Sequence, residues 1–153
     1  VPLWILVKVL SFGLISELYG ILKTEDQLKI ANMYKTDIDT LCTYLCILAN
    51  YRNICAHEEV LYEHKTQRTL NDYRIHQKLN IEKIDGQYKY GVNDMFAVII
   101  ILKNMLSESE FTDFINEISY EVDVLQGKIH TVSINSILNT CGFPDNWRDI
   151  MEI

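Results

Sequence analysis

Apolar residues recur at helical spacing from Asp37 to about Leu61, with no Pro or Gly to interrupt them, which predicts one long helix. On an ideal helix Leu41, Tyr44, Leu45, Leu48, Cys55 and Ala56 share a stripe, the face expected to be buried. Arg52 projects from the middle of that stripe, and Asn50, Asn53 and His57 form a polar row on the neighbouring face. Thr36 is the expected N-cap.

The same patterning reads the rest as helical. Helices are predicted at about Leu3 to Leu10, broken at Ser11-Phe12-Gly13, and from Leu14 to Leu22. A third opens on Glu25 and Asp26 and runs to about Lys35. From His64 to Leu79 the chain is polar and without a clean period, a loop or short helix. Asn93 or Asp94 caps an apolar helix from Met95 to Leu106, expected to be the central buried one. Ser107-Glu108-Ser109-Glu110 begins an amphipathic helix to about Leu125, closed by Gly127. A short helix at Ser133 to Asn139 precedes a turn at Gly142, Pro144 and Trp147 that docks back on the body.

One segment has strand character. Ile81 to Ile84 and Gln87 to Tyr90 flank Asp85-Gly86, a favoured pair for a two-residue type I′ turn. That register sets Glu82 opposite Lys89 and Ile81 opposite Tyr90. Tyr88 and Tyr90 then share a face, suited to covering a core edge or to stacking on RNA bases. The expected fold class is therefore all-α, a helical bundle of about five to seven helices, with a small β-hairpin insertion near 81–90.

At 153 residues, about half of them apolar, the chain is expected to form a single domain, 1–153, with a real core. It starts at Val1 rather than Met. Neither the segment from Val1 to Leu10 nor the run Met95 to Leu102 has the length of a membrane span, so no membrane is expected. Four cysteines, Cys42, Cys46, Cys55 and Cys141, fit free, mostly buried thiols in a reduced cytoplasm. Cys42, Cys46, Cys55 and His57 raise a zinc site, but the ligand spacing is wrong and the faces are spread, so no metal is expected. The net charge of −7 opposes nucleic-acid binding in general. A local basic cluster after the long helix, Lys65, Arg68, Arg74, His76 and Lys78, is the candidate RNA-binding patch; its alternative reading is a solvated connector.

The candidate chemistry lies in Arg52-Asn53-Ile54-Cys55-Ala56-His57, followed by Glu58 and Glu59. A guanidinium matches two phosphate oxygens, and an imidazole exchanges protons near neutral pH. An RNase that works without metal needs that pair. On a straight helix positions 52 and 57 are roughly 140° apart, so convergence needs a bent arginine, a distorted helix or a second subunit. Asn53 lies one turn before His57, close enough to orient it. The competing reading makes Arg52 a snorkelling or paired structural residue and His57 a satisfied core histidine.

The string Ala49 to Glu59 resembles the core of the Abi-like abortive-infection proteins (AbiD/AbiF type), which fall within the HEPN superfamily marked by Arg-x4–6-His. Pro2 to Val7 with Leu10-Ser11-Phe12-Gly13, and Cys141 to Trp147, resemble the opening and closing segments of that domain. The resemblance implies a HEPN-like bundle acting in phage defence as an endoribonuclease. Arg52 would hold the scissile phosphate, His57 would act as general base or acid, and Asn53 would position one of them. The RNA 2′-hydroxyl would attack, leaving a 2′,3′-cyclic phosphate and a 5′-hydroxyl with no cofactor. DNA lacks that hydroxyl and would not be cut. HEPN domains pair their motifs across a shared cleft, so a homodimer is expected, with the stripe around Arg52 at its seam. With the family-like opening at its very start, the chain is expected to be the C-terminal part of a longer protein. A toxic RNase also implies a protein or RNA antidote. The alternative is a non-catalytic HEPN-like module that binds RNA or protein and dimerises, or serves only for dimerisation.

Overall fold

The computed structural model describes residues 10–153. The helix expected from about Leu3, and the family-like opening at Pro2 to Val7, lie outside the described residues apart from Leu10. The chain divides into two compact units, Val1–Glu59 and Val60–Ile153. Its described part is all-α with a two-stranded hairpin.

In the first unit, Ser11 caps α1 (Phe12–Ile21) by accepting from the Leu14 amide at 3.3 Å. The helix thus starts at the predicted break rather than after it. Helix α2 (Thr24–Met33) follows, tied to α1 by a reciprocal pair: the Tyr19 hydroxyl donates to the Gln27 carbonyl at 3.0 Å, and the Gln27 amide donates to the Tyr19 carbonyl at 2.9 Å. Helix α3 (Ile38–Ala56) is capped by Asp37, not Thr36, through the Thr40 amide at 2.8 Å. A carboxylate one residue later simply outcompetes the hydroxyl as an acceptor at that position. Both shorter helices pack on α3.

The buried face of α3 differs from the expected stripe. Thr40, Leu41, Thr43, Tyr44, Ile47, Tyr51 and Ile54 are buried, Leu45 and Leu48 are only half-buried, and Cys55 and Ala56 are exposed. Ile47, Tyr51 and Ile54 take the core places that the expected stripe gave to Leu48, Arg52 and Cys55, each one position later. The face around Arg52 is the open one. The cysteines differ too: Cys42, Cys46 and Cys141 are half-buried and Cys55 is exposed.

In the second unit, residues 61–73 run without regular structure but are stitched to the stretch before the central helix. The Thr66 and Leu70 amides donate to the Asn93 and Val92 carbonyls, both at 2.8 Å, and the Asn93 side chain donates to the Thr66 carbonyl at 2.9 Å. Helix α4 (Arg74–Lys78) leads to strands β1 (Lys83–Ile84) and β2 (Gln87–Tyr88), antiparallel in the expected register with Lys83 opposite Tyr88. Asp85 and Gly86 take φ of 51° and 84°, as a type I′ turn requires.

Helix α5 (Met95–Met105) buries Phe96, Ala97, Ile99, Ile100 and Ile101 and is the central helix the patterning predicted. Helix α6 (Glu108–Lys128) opens with a capping box between Ser107 and Glu110. It continues through Gly127, where nothing lies within 4 Å of an added methyl, so that glycine does not end it. Helix α7 (Ile134–Thr140), capped by Ser133, precedes the turn that returns Phe143 and Trp147 to the core, and a 3-10 helix (Trp147–Glu152) follows. Each such fully buried aliphatic or aromatic side chain contributes about 1.5–3 kcal/mol. Among the described residues no helix is long and apolar enough to cross a membrane.

Candidate functional site

Helix α3 stops at Ala56, five residues short of the predicted end, because of a specific C-terminal geometry. His57 is the C-cap, its amide bonded to the Asn53 and Ile54 carbonyls at 3.0 and 3.3 Å. Glu58 then takes φ of 53°, and the Glu59 amide reaches back to the Ile54 carbonyl at 3.1 Å. This is the Schellman closure that glycine usually makes. Three other helices end with the same reversal, at Lys35, Asn80 and Gly142. At Glu58 a side chain occupies the left-handed position, at a cost of order 1 kcal/mol.

The result places Arg52, Asn53 and His57 on exposed surface at the end of α3. His57 is therefore not a core histidine. The Arg52 guanidinium donates to the Asn53 side-chain oxygen at 3.3 Å, so the asparagine steadies the arginine. Among the described residues no hydrogen bond or ion pair joins Arg52 to His57. Arg52 carries its full charge into solvent, suited to an anionic ligand.

The basic cluster of the second unit is split by the structure. Lys65, Arg68, Arg74 and Lys78 are exposed. Arg74 is clamped by Asp72, Nε to both carboxylate oxygens at 3.0 Å and Nη2 to Oδ2 at 2.5 Å, which neutralises much of its charge. His76 does not belong to this surface: it is fully buried. Helical spacing carries the reason: His76 adjoins Ile75 and lies three residues before Leu79, so all three share the face turned to the core, while Gln77 and Lys78 face out.

His76 anchors a buried polar cluster that sequence reasoning missed. Its Nε2 lies 2.7 Å from the Gly91 carbonyl. A carbonyl only accepts, so Nε2 carries the proton and Nδ1 is a bare acceptor, buried without a hydrogen-bond partner among the described residues. The Gly91 amide in turn donates to both Asp94 oxygens at 3.0 Å, and Asp94 also caps α5 through the Ala97 amide at 3.1 Å.

Burial pushes the His76 imidazole below its ordinary value, against the opposing pull of the Gly91 carbonyl and Asp72. Burial also pushes Asp94 up to about 6, although the Ala97 and Gly91 amides and Lys65 favour its charged form. The Cys141 thiol is raised by burial and then by the Asp94 charge. Gly142 packs its backbone against the Asp94 carboxyl at φ of 91°, where a Cβ would collide with that group. The signal that could have found this cluster was the Gly91-x-x-Asp94 cap joined to the one histidine flanked by core aliphatics on its own helix.

Residues 1–63 match the family model described as Abi-like protein. That span includes all of α3 and the Arg52 to His57 segment and is less than half of the chain. No curated protein and no solved structure matches the chain.

Proposed function

We propose that this chain is a metal-independent endoribonuclease of an abortive-infection system, built on a HEPN-like domain. The observation that carries the reading is the joint exposure of Arg52, Asn53 and His57 at the end of α3, within the stretch that matches the Abi-like family. Arg52, steadied by Asn53, neutralises the scissile phosphate. His57 takes the proton from the 2′-hydroxyl or returns one to the leaving 5′-oxygen. The products are a 2′,3′-cyclic phosphate and a 5′-hydroxyl. The missing contact between Arg52 and His57 within one chain favours two chains per active cleft, a homodimer in which the half-exposed Leu45 and Leu48 flank the seam. The setting is the cytoplasm, and a protein or RNA antidote restrains the activity.

Incubation with mixed single-stranded RNA in the presence of chelator tests the chemistry. Cleavage that disappears in both Arg52→Ala and His57→Ala, and that spares the 2′-deoxy substrate, supports it. Cleavage that survives in either variant overturns the assigned roles. A mass in solution that stays monomeric at all concentrations overturns the shared cleft. The net charge of −7 favours a second reading, a non-catalytic HEPN-like module that binds RNA or protein and dimerises. Binding of RNA without cleavage by the full-length protein would select it.

A further inference from the structure

The hairpin of the second unit gathers aromatic rings and lysines on one face, where the rings also cover the buried His76. The Tyr88 ring is packed against His76, centroids 4.8 Å apart, and against Tyr73 at 5.1 Å. The Lys83 ammonium lies 4.5 Å from the Tyr88 ring centroid, directly across the strand pair. Two residues on, Lys89 lies 5.0 Å from the Tyr90 ring. Lys83 and Lys89 are exposed, Tyr88 and Tyr90 are half-buried and Tyr73 is 37% exposed. Beside Lys89 and Tyr90 opens a polar groove of about 620 Å³, lined further by Asn135, Ser136, Asn139 and Asp145.

We infer that this hairpin face holds a single-stranded polynucleotide, with bases stacked on Tyr73, Tyr88 and Tyr90 and phosphates met by Lys83 and Lys89. A solvent-exposed ammonium over a ring is held more weakly than a nucleobase stacks on one. An incoming base displaces the ammonium, which swings to the neighbouring phosphate without leaving the site. Arg74 is already engaged by Asp72 and adds little to this face. Glu82, Asp85 and Asp145 nearby limit the affinity and keep the surface from holding duplex, whose bases offer no free face. The groove's amides offer donors and acceptors to the edge of one stacked base. That the strand is RNA rests on the nuclease reading; stacking and phosphate contact by themselves do not distinguish a 2′-hydroxyl.

The test is fluorescence anisotropy with a labelled 2′-O-methyl oligoribonucleotide of mixed sequence, which binds but cannot be cut, titrated at several salt concentrations. Lys83→Ala/Lys89→Ala is expected to lower the salt slope by about 1.4, two phosphate contacts at roughly 0.7 each. Tyr88→Leu is expected to weaken binding by roughly tenfold, and Tyr73→Leu to do so less, without disturbing the His76 packing as directly. Lys29→Ala, an exposed lysine of the first unit, should leave both affinity and slope unchanged. Parental affinity and slope in the double lysine variant overturn the inference, as does absence of binding by the parent chain. Cleavage of unmodified RNA is scored separately. Loss of cleavage in His57→Ala with unchanged anisotropy supports both sites as distinct. Binding through the hairpin by a chain that never cuts supports this surface and overturns the nuclease alone.

Discussion

Two histidines of this chain sit in opposite surroundings. His57 stands in solvent at the end of α3, next to an exposed arginine that donates to one asparagine oxygen. His76 is sealed in the core of the second unit, its ring wedged between two tyrosines and a glycine carbonyl. Three of the perturbed ionisations gather around the buried one, at His76, Asp94 and Cys141. Perturbation alone would nominate His76, a histidine buried away from any ligand. A shifted group marks either a site poised for chemistry or a polar group that the fold has had to desolvate. Access separates the two: a phosphate can reach His57 and cannot reach His76.

Substitutions sharpen that contrast. The largest effect is expected at Gly142→Ala. The added methyl meets the buried Asp94 carboxyl on a backbone held at positive φ, so the second unit should lose about 3 kcal/mol or more. Denaturant unfolding followed by the fluorescence of buried Trp147, in a Trp4→Phe background, reads it. A loss below about 1 kcal/mol would mean that this corner is loose.

Next come the two buried titrations, which oppose each other. Asp94 has its folded value raised from 3.8 to about 6, so the folded state binds more protons across that interval. Its contribution is most favourable in acid and is lost as pH rises; carrying the charge at neutral pH costs about 3 kcal/mol. His76 has its folded value lowered, so the unfolded state binds the extra proton and acidification below its unfolded value destabilises the fold. Asp94→Asn should therefore leave a chain that loses stability between pH 7 and pH 5. His76→Gln should leave one that gains it. Hydrogen exchange at the Gly91 and Ala97 amides reports both locally, and parallel pH profiles in the two variants would break the account.

A smaller gain is expected from Glu58→Gly at the end of α3. Glycine suits the left-handed position, and the first unit should become more stable by about 1 kcal/mol, visible as a higher midpoint of unfolding. The least stability change is expected where the proposed chemistry is. Arg52→Ala and His57→Ala should shift unfolding by no more than about 0.5 kcal/mol, since both side chains are exposed, while abolishing cleavage. A large loss of stability in either would return them to the structural role that the sequence left open.

Much of the architecture was legible because it depends on local rules. Ser107 with Glu110, Asp94 before a run of isoleucines, and Asp85-Gly86 between alternating strands each name their element through backbone hydrogen bonds made within a few residues. Long-range competition was not legible. The buried stripe of α3 could be drawn one residue to either side on an ideal helix, and only the packing of α1 and α2 against it chose Tyr51 and Ile54 over Cys55 and Ala56. The helix end moved for a similar reason: a left-handed Glu58 cannot be read from a sequence that offers no glycine there.

The order of residues by itself determined the helical class, the hairpin and its register, and the presence of an arginine and a histidine on one segment, because each follows from spacing along a single element. Tertiary structure alone decided which histidine is open and which is entombed. Burial is a property of the neighbours an element meets, and those neighbours, Gly91 and Tyr88 around His76, come from more than ten positions along the chain.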